Sequence, residues 1–270
     1  MEFGYCLTDF PYNTENDGIK YLKCTSFIII DKGYGPILFD TGSILDYKTL
    51  LDFLKNTYNL LPDDIRWVFI THIHPDHIGA NRFFKKAKLI LSRNDYEFGN
   101  NIAKVVFKKK DLLKYLHENC PGYISSIGQF EAERMEEQIL NYWTDEIIGI
   151  NKNPYFIEDS PDIPHFIKII QTKGHTFHHY SFQINIENIK ILVTGDALSM
   201  RMILRESHEF RFLEPHMDFD LYFKSLAKLK KINGLIIPGH DRAFFSHNYK
   251  PIRKNNFQLK DIKKDYLINV

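Results

Sequence analysis

Thr71 to Asn81 reads T-H-I-H-P-D-H-I-G-A-N, which sets four metal-capable side chains within six residues. Trp67 to Ile70 is a short apolar strand run leading into it, so His72 and His74, two apart as the chain leaves a sheet, can point at one ion. Asp76 and His77 fall where the next element begins and can reach a second. Imidazole nitrogen and carboxylate oxygen without cysteine is the donor chemistry of catalytic zinc sites, which keep a coordination position open for water. A lone histidine is ordinarily a packed or solvated side chain; four potential ligands this close together reverse that expectation. Three more candidates stand alone: His175 in T-K-G-H-T-F-H-H, Asp196 in V-T-G-D-A and His240 in I-I-P-G-H-D.

Outward from the motif, strand and helix signals alternate in two halves. Residues 22–30 and 36–40 are apolar and β-branched and flank the turn D-K-G-Y-G, which predicts a hairpin. Asp46 to Tyr58 has leucines and Phe53 at helical spacing, with Asp46 as N-cap. The spacing predicts a further helix from Pro75 to Lys86, then a strand at Lys88 to Leu91. The second half repeats the vocabulary, with strands at Phe166 to Gln171, Tyr180 to Ile186, Lys190 to Thr194 and Leu235 to Ile237, and a helix from Asp218 to Lys231. Hairpins covered by helices predict an α/β (α+β) chain in which two sheets lie between helical layers, an αββα sandwich. Between the halves, at about 102–150, the stretches Lys104 to Asn119 and Ser125 to Trp143, broken at Cys120-Pro121-Gly122, read as a helical insertion on a single domain spanning 1–270.

Composition sets the bounds. A chain of 270 residues that is 44% hydrophobic can bury a full core. With a net charge of +1 and both signs interspersed, it has no basic face for nucleic acid. No apolar run approaches the ~18 residues needed to cross a bilayer, and Met1-Glu2-Phe3-Gly4 lacks a basic leader. Cys6, Cys24 and Cys120 are scattered, with no Cys-x-x-Cys pair. The expectation is a soluble cytoplasmic protein with no nucleic-acid or membrane partner.

The pattern H-x-H-x-D-H followed by isolated His, Asp and His resembles the metallo-β-lactamase superfamily, over about Cys24 to Tyr96 and Tyr155 to Arg242. The resemblance puts His72, His74 and His175 on one metal, Asp76, His77 and His240 on the other, and Asp196 between them as the bridge. Within the superfamily the chain looks most like the N-acyl homoserine lactonases. The phrases are G-P-I-L-F-D-T-G (Gly35 to Gly42), L-P-D-D-I-R-W-V-F-I before the motif, S-R-N-D-Y-E-F (Ser92 to Phe98) and P-G-H-D (Pro238 to Asp241). The lactonases carry a substrate-contacting tyrosine three residues after the bridging Asp, where this chain has the shorter hydroxyl of Ser199. Asp40 matches a carboxylate that orients a metal histidine, although a turn Asp is an equally good reading, and His179 resembles a recurring supporting histidine. His117, His165, His178, His208, His216 and His247 have no motif context and are read as non-ligands.

The resemblance implies two divalent cations, with zinc as the default and iron, manganese or cobalt suiting the same donors. It also implies hydrolysis of a small lactone or carboxylic ester by a metal-bridging hydroxide, with Asp76 relaying the proton. A glyoxalase II-like thioesterase uses the same ligands, but only about thirty residues follow His240, too few for that group's C-terminal helical region. A tRNA-processing phosphodiesterase would be expected to carry a basic arm, and none is visible. A non-catalytic sensor that keeps the fold is the reading from another class. Phe107, Phe130, Tyr142 and Trp143 on the insertion are candidates for an acyl pocket or, more simply, for core. The insertion surface is a candidate contact for a homodimer.

Overall fold

A computed structural model describes residues 1–14, 18–120, 129–205 and 216–267. Strands β1 (Glu2–Thr14), β2 (Gly18–Asp31) and β3 (Gly35–Phe39) form an antiparallel meander. The β2–β3 hairpin closes at the Asp31–Gly35 pair, around the turn expected from D-K-G-Y-G. Helix α1 (Tyr47–Tyr58) then crosses over, and β4 (Trp67–Phe69), β5 (Lys88–Leu91) and β6 (Tyr155–Phe156) continue the sheet in parallel. The second sheet holds β7 (Ile167–Gln171), β8 (Tyr180–Ile186), β9 (Ile189–Gly195), β10 (Leu235–Pro238) and β11 (Phe244–Phe245), in the order β11-β10-β9-β8-β7. A last strand, β12 (Asn256–Gln258), pairs with β1 at the edge of the first sheet.

The two sheets meet through their apolar faces. Phe3, Phe27, Phe39 and Phe69 from the first pack with Phe182, Ile184, Ile191 and Ile237 from the second. The opposite face of the first sheet buries Ile28, Leu38 and Val68 against Leu50 and Leu54 of α1. The opposite face of the second buries Leu192 and Ile236 against Tyr222, Leu226 and Leu229 of a helix at 219–229. This is the expected αββα arrangement. At ~25 cal/mol per Å² of apolar area removed from water, each ring buried in the aromatic layer between the sheets contributes about 1.5–3 kcal/mol.

Between β5 and β6 run α2 (Arg93–Phe107), α3 (Leu112–Asn119), α4 (Gln129–Tyr142) and α5 (Asp145–Ile148), the first three sharing a core of Ile102, Val106, Leu116 and Ile139. The helical run thus starts at Arg93, upstream of Ile102, because Ser92 caps it by accepting the Asp95 N–H at 3.0 Å. The expected chain break at 120–122 lies largely outside the described residues, as do residues 125–128. Helices α6 (Met202–Arg205), α7 (Phe219–Leu229) and α8 (Leu259–Leu267) complete the chain, with Asp218 capping α7 through the Leu221 N–H. Among the described residues no helix is long and apolar enough to cross a membrane.

One element departs from expectation. Residues 75–86 form turns and a single 3₁₀ turn at Asn81–Phe83, not a helix. Their backbone groups are spent on the loop after β3: Thr41 N–H donates to the His77 carbonyl at 2.7 Å, Gly79 N–H to Gly42, Ala80 N–H to Thr41, and Ile44 N–H to Pro75. A Cβ on Gly79 would lie 2.2 Å from the Ser43 carbonyl carbon, so the two loops touch backbone to backbone. Asp46 precedes α1 as expected, yet its carboxylate accepts the Asp9 N–H at 2.8 Å and the Thr49 hydroxyl at 2.6 Å rather than capping a helical N–H.

Candidate metal centre

All seven candidate ligands lie at one end of the sandwich, on loops leaving strands of both sheets. His72, His74, Asp76 and His77 follow β4, His175 lies between β7 and β8, and Asp196 and His240 follow β9 and β10. Six are buried, and His74 is half-buried. His72 Nε2 stands 3.0 Å from His74 Nδ1, which stands 3.1 Å from His175 Nε2. Tetrahedral donors at about 2.0–2.1 Å from one cation would be roughly 3.3–3.4 Å apart, so these three nitrogens are spaced to share one. Asp196 Oδ2 lies 3.3 Å from His175 Nε2 and 3.8 Å from His72 Nε2.

Beside them, Asp196 Oδ1 is 3.3 Å from His77 Nε2, while His240 Nε2 is 2.9 Å from Asp196 Oδ2 and 3.7 Å from Asp76 Oδ2. Buried polar atoms are nearly always hydrogen-bonded. Among the described residues, His77 Nε2 and Asp196 Oδ1 are buried with no hydrogen-bond partner. These two atoms face each other, and a divalent cation fits them in place of a proton on His77. Asp196 faces both groups of nitrogens, as a bridge requires. A Cβ on Gly239 would come 1.9 Å from Asp196 Oδ1, so only glycine lets the His240 loop approach this carboxylate.

The outer ring nitrogens are tied down, which turns the inner ones inward with free lone pairs. His77 Nδ1–H donates to Asp40 Oδ2 at 2.8 Å. The Thr71 hydroxyl also donates to Asp40 Oδ2, and the Thr71 N–H to Oδ1, both at 2.8 Å. With its proton so engaged, Thr71 Oγ1 accepts from His72 Nδ1–H at 3.0 Å. His240 Nδ1–H donates to the Lys23 carbonyl at 2.8 Å. Asp40 therefore orients two of the histidines, and its backbone adopts φ 51° to do so. His179 does not face the centre with a donor: its Nε2 accepts the Asp196 N–H at 3.1 Å and its Nδ1–H donates to Thr172 Oγ1 at 2.9 Å.

Electrostatics follow from burial without solvent. Burial holds His72 and His175 well below the ordinary imidazole value and pushes His179 down to about 3. Burial also works against the imidazolium of His77, but the carboxylates of Asp196, Asp76 and Asp40 outweigh it and hold His77 well above its usual value. Asp196, opposed by burial, is held well below the carboxylate range by His240, His77 and His175. Buried carboxylates demand a positive partner. A proton on His77 supplies one, and a cation would supply more.

Two contacts were not legible in the motifs. His216, read as a non-ligand, is buried, sits with Nδ1 3.3 Å from His175 Nδ1 and stacks on Tyr222 at a centroid distance of 3.7 Å. Were His175 to hold a metal through Nε2, His216 would stand where such a histidine finds its outer partner. Replacing it with Phe keeps the stack and removes the partner; metal affinity measured by competitive chelation should fall about 10–100-fold. Cys24 is the other, with Sγ 3.5 Å from Asp76 Oδ2. Its context, a lone cysteine in a strand, carried no signal.

The remaining candidates fall elsewhere. Ser199 is fully buried, its Oγ has no partner among the described residues, and its carbonyl accepts the His240 N–H at 2.7 Å. His165 meets the Tyr34 hydroxyl at 3.1 Å, His117 is exposed, and His178 is half-buried. His208 and the Phe130 side chain lie outside the described residues. Trp143 packs over Gly99 and stacks on Tyr96, Tyr142 packs on the core beneath α1, and Phe107 is 53% exposed.

Comparison with known proteins agrees with this geometry. The chain is 23% identical over 236 residues to an N-acyl homoserine lactonase of Bacillus thuringiensis, covering 79% of each protein. It is 27% identical over 217 residues to ribonuclease Z of Nanoarchaeum equitans, covering 77% of this chain and 61% of that one. Among solved structures, a dizinc quorum-quenching lactonase in complex with a product superposes with a TM-score of 0.65 at 19% identity, over 84% of this chain and 76% of the other. With the family model for the metallo-beta-lactamase superfamily matching residues 22–240, around every one of the seven converging side chains, the chain belongs to that superfamily and is a metal-dependent hydrolase.

Proposed function

We propose that His72, His74 and His175 hold one divalent cation, that Asp76, His77 and His240 hold a second, that Asp196 bridges them, and that the chain hydrolyses a small lactone or carboxylic ester in the manner of an N-acyl homoserine lactonase. Zinc is the ion this reading takes. The observation that carries it is the convergence of inward-facing nitrogens on a buried carboxylate, with His77 Nε2 and Asp196 Oδ1 left unpartnered. The lactonase similarity over 79% of the chain supports the substrate class. The chain is read as one domain, with the helical stretch at about 102–150 as its insertion.

A cation pair of this kind supplies Lewis acidity, lowering the pKa of water toward neutrality and polarising a carbonyl oxygen. The protein's own residues do the rest. Asp40, Thr71 and the Lys23 carbonyl fix the rings of His77, His72 and His240 so that none must reorganise during turnover. Asp76, whose side chain is 12% exposed against 4% for Asp196, is the carboxylate within reach of solvent and would carry the proton to the leaving alkoxide. Ser199, closed off from solvent, offers no long phenol to a substrate carbonyl, which favours a substrate positioned by other contacts.

A phosphodiesterase is the second reading, favoured by the similarity to ribonuclease Z. The net charge of +1, without a basic block, weighs against a nucleic-acid substrate. Elemental analysis of protein purified without chelator, followed by parallel assays on a lactone, a carboxylic ester, a thioester and bis-(p-nitrophenyl) phosphate, tests the choice. Two tightly held ions per chain and fastest turnover on the lactone or ester are expected. At most one ion, or preference for the thioester or phosphodiester, overturns it.

A further inference from the structure

The second cation position has a neighbour that the seven-residue set does not include. Cys24 lies in the middle of β2, is wholly buried, and brings Sγ within 3.5 Å of Asp76 Oδ2. Sγ, a ring nitrogen of His240 and an Asp76 carboxylate oxygen all lie within 4.8 Å of one another. The placement is fixed by the residues on either side: the Lys23 carbonyl accepts from His240 Nδ1–H at 2.8 Å, and Thr25 donates its N–H to the Gly239 carbonyl at 2.8 Å and its hydroxyl to the Asp241 carbonyl at 3.0 Å. The two residues that flank Cys24 on β2 are thus stitched to the loop that carries His240, and Cys24 between them aims sulfur at the carboxylate of Asp76. On the same side of the centre, His77 Nε2 and Asp196 Oδ1 are buried and unpartnered.

We infer that Cys24 is an additional donor to the second cation, giving that position one sulfur beside the Asp76, His77, His240 and Asp196 donors. This rests on the two-cation reading above. Binding breaks the S–H bond as a sulfur–metal bond forms, and the proton leaves to solvent. The consequence is selectivity: a thiolate favours zinc over manganese or magnesium at this position, while the His72, His74 and His175 position carries no such preference.

Zinc-loaded full-length protein, with metal content measured on the same sample, is the material for the test. X-ray absorption at the zinc edge should show a sulfur path at about 2.3 Å beside nitrogen and oxygen at about 2.0–2.1 Å. The sulfur path should vanish in Cys24→Ser. If that variant does not fold, Cys6→Ser/Cys120→Ser keeps Cys24 as the sole cysteine and should retain the path in full. Two bound zinc ions with nitrogen and oxygen scatterers alone overturn the assignment of Cys24 while leaving the two-cation centre standing. Fewer than two bound ions overturn both.

Discussion

Asp76→Asn should retain the fold and lose turnover by about 10²–10⁴-fold, the contribution typical of a positioned general acid or base. The amide keeps the size of the carboxylate and one oxygen donor, but it cannot take up and return a proton. Asp76 is suited to that exchange because its Oδ2 faces His77 Nε2 at 3.8 Å and His240 Nε2 at 3.7 Å on one side while the side chain keeps a share of its surface open. Asp196, buried with its carboxylate 2.9–3.8 Å from ring nitrogens of His72, His77, His175 and His240, has no such freedom. The check is kcat on the best substrate at matched metal content, with thermal melting of the metal-free forms as the control for folding. Near-normal kcat would remove Asp76 from the proton path.

Phe182→Ala should destabilise the metal-free chain by about 3–5 kcal/mol, a large share of the ~5–15 kcal/mol typical of a folded domain. The ring is fully buried between the sheets, with its centroid 5.5 Å from Phe39 and 5.3 Å edge-on from Phe69. Removing it leaves a cavity where β8 faces β3 and β4, strands whose loops carry the centre. Urea unfolding in the presence of chelator measures the loss. A change below about 1 kcal/mol would mean that the inter-sheet layer collapses around the gap and does not set the spacing of the two halves.

The fold was legible where burial writes a periodic pattern into the chain. Residues 22–30, 180–186 and 235–237 are apolar runs between turn signals, and α7 shows both its cap at Asp218 and its stripe of Leu226 and Leu229. It was not legible where backbone contacts between distant segments decide the outcome. Nothing near Pro75 says that Thr41 and Gly42 will take up the hydrogen bonds a helix would need. Strand β1 went unread because Gly4 and Asp9 interrupt its apolar alternation, and β6, β11 and β12 are only two or three residues long. The same division runs through the centre. The dense motif and the three lone Gly-linked residues stand out because their chemistry is unusual at that spacing. His216 and Cys24 reach the centre by tertiary packing alone.

The scatter of the seven side chains along the chain, four on a loop of one sheet and three on loops of the other, gives ions at this centre a mechanical meaning. On the proposed ligand set they would act as a rivet: neither half of the sandwich could open without releasing them. Free cation at a thousand times its dissociation constant adds about 4.1 kcal/mol to the folded state. A chelator would then be a denaturant for this protein, and its resistance to heat or protease would become a readout of metal supply rather than a constant of the sequence.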